Sequence, residues 1–297
     1  MIRIRNLTKR LGEKEVLRNL SCRIPTGCLC GVAGADGAGK STLLRLLAGV
    51  YRPDGGEILF QEQPEDAGRT VRDCLVFVPD EPFFLPGADM KRMAKLYASL
   101  YRAFDAAKLH ELRALLQIDE KVSIATLSKG KQRAAALALA LATGADILIL
   151  DEVLDGIDPV TRAVAKKLLL QPVLERHGTV ILTSHSLHEM GDICDRLIVL
   201  HDGELLLQRD VQDLMTSMCK FQIAFTSDFD ARLFAGLEIV SYIKRGSVAQ
   251  LVVRGDFEAA GEYVMRREPV LLDELPLTLE EIYNYELQLR TEAEGQD

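Results

Sequence analysis

The run Gly34-Ala35-Asp36-Gly37-Ala38-Gly39-Lys40-Ser41-Thr42 constrains this chain more than any other stretch. It lies between the apolar "CLCGVAG" and the leucine-rich "STLLRLLA". The first reads as a buried strand and the second as a helix, so the glycines must carry a turn between them. The spacing Gly34-x-x-x-x-Gly39-Lys40-Ser41 is that of a Walker A loop. Its glycines let successive backbone N–H groups turn toward phosphates, and a helix starting near Lys40 adds its positive dipole end. Lys40 is expected to reach the β- and γ-phosphates, and Ser41 to ligate Mg²⁺. The binding residues expected here are Gly34, Ala35, Asp36, Gly37, Ala38, Gly39, Lys40, Ser41 and Thr42. Asp36 is an odd neighbour for phosphate. Aspartate tolerates turn conformations, so its carboxylate is expected to face away.

Downstream, buried strands alternate with helices. "CLVFVPD" reads as a strand, residues 88–117 as helical, and "TLSKGKQRAAALALALATG" as a helix with Ser128 at its N-cap and Gly144 just beyond its end. "DILILDE" and "TVILTSH" are strands without polar alternation, as in the middle of a parallel sheet. The helix after "DEVLDGIDP" has Pro159 near its start, and Pro172 is expected to kink or break it. "RLIVLHDGELLLQ" reads as two short strands around Asp202-Gly203. The order of elements predicts an α/β fold: a parallel-sheet P-loop domain over residues 1–212 with a helical insertion at about 82–142. Beyond it, 213–297 read as a small α+β domain, with strands at "FQIAF", "VSYIKRGSVAQLVVR" and "PVLLDELP". Helices are expected near 257–267 and 278–290, and the tail "TEAEGQD" is expected to fray.

A second chemical centre sits at the end of "ILILDE". Ligands bind outside the carboxyl ends of strands in open α/β sheets. Asp151 is placed to hold Mg²⁺ through water, and Glu152 to position or deprotonate an attacking water.

Taken together, these motifs make residues 1–210 resemble the nucleotide-binding ATPase subunit of an ABC transporter. "LSKGKQ" resembles the family's LSGGQ signature, "DEVLDGIDP" the end of Walker B and the D-loop, and "TSH" at 183–185 the switch-histidine segment. "RPDGGEI" fits the text after the first helix. The ending "LPLTLEEIYNYELQ" looks like that of the exporter-like bacterial branch. The resemblance implies ATP and Mg²⁺ as ligands and a head-to-tail dimer, either of two copies or with a second ATPase. In such a dimer Ser128 and Gly130 close on ATP of the opposite subunit, Asp158 lies at the interface, and His185 contacts the γ-phosphate. The resemblance also implies a separate membrane-spanning permease subunit and a peripheral place on the cytoplasmic face of the membrane. Four positions depart from the family pattern. Leu11 replaces the aromatic that stacks on adenine. Asp80 replaces a glutamine, and as a carboxylate it is still a candidate Mg²⁺ ligand. Lys129 replaces a signature glycine, and Asp155 stands where serine is common. Glu152 is retained, so hydrolysis is expected.

Bulk properties narrow the partners. The net charge of −8 argues against a dedicated nucleic-acid binder. The cysteines show no metal-ligand spacing, which argues against zinc and fits a reducing compartment. No apolar stretch is long enough to span a bilayer, and the N-terminus lacks the core of a signal peptide. The run Phe83-Phe84-Leu85 either packs the insertion or meets the membrane partner. The C-terminal domain either supports or regulates a dimer, or merely packs. Two rival functions remain on sequence grounds. One is a non-transport ABC ATPase acting on ribosomes or DNA, disfavoured by a single Walker A and the short span before the signature. The other is a regulatory nucleotide-binding subunit with little turnover.

Overall fold

Apolar and polar residues alternate unevenly after Met1, and they form β1 (Ile2–Leu11), paired antiparallel with β2 (Lys14–Ile24). This computed structural model describes residues 1–60, 63–64 and 74–294. β1 also pairs antiparallel with β4 (Gly55–Phe60), which continues to β5 (Gln63–Pro64), giving a sheet of order β2-β1-β4-β5. Its inward side chains Ile4, Leu7, Leu17 and Leu20 share one core with Leu43, Leu44 and Leu47 of α1 (Lys40–Leu47). That core holds the helix that begins at Lys40.

The second sheet has the order β10-β9-β3-β8-β7-β6. Its members are β3 (Leu29–Gly34), β6 (Leu75–Val78), β7 (Ile147–Leu150), β8 (Thr179–Thr183), β9 (Arg196–His201) and β10 (Glu204–Asp210). The five strands from β9 to β6 run parallel. All of β8 is buried, as expected for a strand covered on both faces. Parallel strands end on the same side. The chain therefore brings the residues after β3, β7 and β8 to one edge, because those strands are neighbours.

Between β6 and β7 lie α2 (Met90–Leu100), α3 (Ala106–Leu115) and α4 (Lys129–Ala142). The helical segment expected over 88–117 consists of two helices. Tyr101 is extended, and Asp105 starts the second helix by accepting the Lys108 N–H at 2.9 Å. Asp105 donates its own N–H to Ala142 O, which fixes the break against α4. Proline has the opposite outcome in α5 (Pro159–Arg176), which runs through Pro172 instead of breaking there. Pro172 is buried near the helix end, and its carbonyl is closed by the Gly178 N–H at 2.9 Å. Packing and this terminal bond carry the last turn past the missing donor. A short α6 (Leu187–Ile193) follows β8, capped by Ser186.

The chain divides into compact units at Met1–Gln208 and Arg209–Asp297. The division falls inside β10, a few residues before the expected 212/213 boundary. In the second unit, α7 (Val211–Met215) precedes an antiparallel sheet of order β12-β13-β11-β14. Its strands are β11 (Met218–Ala224), β12 (Glu238–Arg245), β13 (Val248–Arg254) and β14 (Leu271–Leu275). Phe221, Phe229, Phe234, Leu251 and Val264 form its core, the last from α8 (Phe257–Met265). The final helix, α9 (Leu279–Glu294), takes in residues 291–294 of the segment expected to fray; 295–297 lie outside the described residues. Among the described residues, no helix is long and apolar enough to cross a membrane.

Candidate nucleotide-binding site

The loop between β3 and α1 is shaped by its glycines. Gly39, the residue before α1, has φ of 102°, and a Cβ there would sit 2.6 Å from Leu17 Cδ2. Only glycine meets both demands. Lys40 follows and is buried, its Nζ donating to Gly34 O at 2.8 Å and Ala35 O at 3.1 Å. The ammonium is thus held inside the curve of its own loop, at the N-terminus of α1, where an anion is favoured.

Across the sheet edge stands Asp151, fully buried at the end of β7. Its N–H donates to Val78 O at 2.8 Å, which continues the pairing with β6. Its Oδ1 accepts the Thr183 hydroxyl at 2.7 Å and the Ser41 hydroxyl at 3.1 Å. Its Oδ2 is buried without a hydrogen-bond partner. A buried, unbonded carboxylate oxygen next to a serine hydroxyl is the hard-oxygen donor set that suits Mg²⁺. Thr183 escaped the sequence reading as a functional residue. Its hydroxyl donates to Asp151 and accepts the Glu152 N–H at 2.9 Å, so it fixes both acidic residues. The only sequence signal for it is its place at a strand end beside Ser184-His185.

Glu152 has φ of 50°, in the left-handed region that a non-glycine residue adopts only when its surroundings impose it. Its Oε1 lies 2.8 Å from His185 Nε2. The other ring nitrogen, Nδ1, lies 3.2 Å from Asp36 Oδ1, which is also 3.9 Å from Lys40 Nζ. Asp36, expected from the sequence to face away, therefore does not. Its carboxylate turns in toward the two groups that bear or accept positive charge. Burial pushes the Glu152 carboxyl above its ordinary range; the charges of Asp155 and Asp151 add to this, while His185 and Arg133 oppose it. Burial raises Asp155 likewise, again against His185 and Arg133.

Asp80 is engaged elsewhere. One oxygen of its carboxylate, Oδ1, pairs with Arg45 of α1 at 3.2 Å. Its carbonyl accepts from Arg133 Nε and NH2 at 3.4 and 3.3 Å, and Arg133 NH1 donates to Asp155 O at 2.6 Å. One guanidinium on α4 thereby holds the loop after β6 and the loop after β7. Nothing in the spacing of Arg133 announces this role. Ser128 is exposed and caps α4 by accepting the Lys131 N–H at 3.3 Å. Gly130 is buried, and a Cβ on it would lie 2.1 Å from Gly156 O, so the signature residue abuts the chain's own D-loop. Asp158 caps α5 by accepting the Thr161 N–H at 3.0 Å; that bond holds its carboxyl below the ordinary range. Leu11, at the end of β1, is 41% exposed, and Phe83 is 70% exposed while Phe84 and Leu85 are half-buried.

Residues 17–155 match the family described as ABC transporter. The chain is 30% identical over 285 residues to the ABC transporter ATP-binding protein YtrB of Bacillus subtilis (strain 168), covering 95% of this chain and 97% of that one. It is 37% identical over 212 residues to the aliphatic sulfonates import ATP-binding protein SsuB of Pseudomonas fluorescens (strain Pf0-1), covering 70% and 76%. Among solved structures it is similar to the dimeric ATP-binding cassette MJ0796 in a post-hydrolysis state bound to ADP and Pi. The TM-score is 0.63 at 23% identity, with 71% of this chain and 99% of that chain covered, a likeness of fold.

Proposed function

This chain belongs to the family of ABC transporter ATP-binding proteins, and on that premise we propose how its residues bind and hydrolyse ATP to power a separate membrane-spanning subunit. The loop from Gly34 to Thr42 cradles the phosphates with its N–H groups, and Lys40 neutralises them. Ser41 and Asp151 would hold Mg²⁺, which would supply charge neutralisation at the phosphate oxygens, with Asp80 a third candidate ligand. Glu152 orients water and takes its proton, since its raised affinity for protons suits a general base. His185 keeps Glu152 in place and faces the γ-phosphate.

The observation that carries this reading is the junction at Asp151. The Ser41 hydroxyl from the phosphate loop and the Thr183 hydroxyl from β8 meet on one oxygen, leaving the other buried and unbonded. A structural aspartate would have both oxygens satisfied.

Transport is carried out with partners. Two ATPase subunits associate head to tail, with Ser128 of one closing on the nucleotide of the other; its exposed place at the start of α4 supports this. Exposed Phe83 beside the helical insertion supports docking of the membrane subunit there, on the cytoplasmic face. The ending "LPLTLEEIYNYELQ" supports the exporter-like branch. The test is Glu152→Gln in the full chain. It should abolish ATP turnover while ATP binding persists, and the wild-type chain should co-purify with a polytopic membrane protein encoded beside it. Unchanged turnover would overturn the assignment of Glu152.

A further inference from the structure

The Asp36 carboxylate is set against His185, assigned to the γ-phosphate, and Lys40, assigned to the β- and γ-phosphates. Its Oδ1 stands 3.2 Å from His185 Nδ1 and 3.9 Å from Lys40 Nζ. His185 Nε2 is at the same time on Glu152 Oε1. The imidazole therefore spans from the phosphate loop to the end of β7 with a carboxylate at each nitrogen. An anion already satisfies Lys40 and His185 before any nucleotide arrives. Yet the Asp36 side chain is 86% exposed, so solvent screens these contacts and little packing holds it there. A carboxylate so placed leaves by rotating outward into water.

We infer that Asp36 is an internal stand-in for the terminal phosphate, holding Lys40 and His185 until the γ-phosphate displaces it, and so lowering the site's preference for ATP over ADP. The inference rests on the nucleotide-binding reading above. ADP has no γ-phosphate: its β-phosphate reaches Lys40, and Asp36 stays on His185. ATP brings a second anion to the same two groups, and the two cannot share them, because like charges at such separations repel. A carboxylate that merely added background charge would weaken both nucleotides alike. A stand-in weakens ATP selectively, and it does so through His185.

The experiment measures dissociation constants of the full chain for Mg·AMPPNP and Mg·ADP by titration calorimetry. Asp36→Asn removes the charge but keeps the shape, and Asp36→Ser checks that the result does not depend on the new side chain. Each should tighten AMPPNP by about five-fold, the worth of one charge pair near 4 Å in water, and ADP by less than about two-fold. In a His185→Ala background the gain from Asp36→Asn should shrink, since the partner is gone. Equal gains for both nucleotides, no gain, or a gain indifferent to His185 would overturn the inference alone. Failure of the wild-type chain to bind either nucleotide would overturn the nucleotide-binding reading and this inference with it.

Discussion

His185 Nε2 lies 2.8 Å from Glu152 Oε1, a bond that ties the residue following β8 to the carboxylate following β7. Glu152 needs such a tether because its backbone is left-handed and its carboxyl sits among other acids. Without the ring, the carboxylate is free to turn away from the water it is proposed to deprotonate. His185→Ala should lower kcat by about 10²-fold, within the span of a positioned general base. Phosphate release at saturating ATP measures it.

Arg133 makes the link between two loops that the chain itself leaves separate. It donates to the carbonyls of Asp80 and Asp155 with one planar group. Arg133→Ala strands those acceptors and should destabilise the protein by about 2 kcal/mol, the scale of hydrogen bonds from a charged donor. Arg133→Lys should recover part of the stability, because one ammonium does not span both carbonyls in the same plane. Urea unfolding of the three proteins gives the order.

Gly130 tolerates no side chain where it stands. A methyl group 2.1 Å from Gly156 O forces the D-loop to move. Gly130→Ala should cost about 1–3 kcal/mol of stability through overpacking. It should also depress ATP turnover more than ATP binding, since Gly156 and Asp155 move while the loop at Lys40 does not. Parallel ATPase and nucleotide-titration measurements separate the two effects.

The raised carboxyl of Glu152 predicts how stability depends on pH in metal-free, nucleotide-free buffer. A carboxyl whose affinity for protons is higher folded than unfolded contributes stability fully below its ordinary value of 4.5, and loses it as pH rises through the raised value. Glu152→Gln cannot ionise. Its melting temperature should therefore equal or exceed that of the wild type at pH 8. The difference should narrow as the pH falls toward 4.5, and thermal scans across that range test the sign.

The parallel sheet was legible because "ILIL" and "TVILT" carry no polar alternation, a signal that survives without tertiary information. The turn between β3 and α1 was legible for the same local reason, since its glycines and lysine fall in one short run from Gly34 to Lys40. Of the kink or break expected at Pro172, the break does not occur, because that outcome depends on what lies beyond it, here Gly178 and a buried flank. The helical stretch at 88–117 hid its break because Tyr97, Tyr101 and Phe104 keep a helix-like spacing across it. Thr183, Arg133 and the inward turn of Asp36 act on residues far away in sequence. No pattern along the chain reports which side chains a fold will bring face to face, and Asp80 likewise revealed its partner Arg45 only in three dimensions.

β7 spans four residues, and the next two are the acids of the site. Side chains along a strand alternate between faces, so inserting or deleting a single residue in Ile147–Leu150 would present Glu152 where Asp151 belongs, or the reverse. The apolar identities of that strand are open to exchange among Val, Ile and Leu at modest cost, whereas its length is not. In this chain the chemistry is therefore guarded by counting: a lineage can repaint β7 freely but cannot lengthen it.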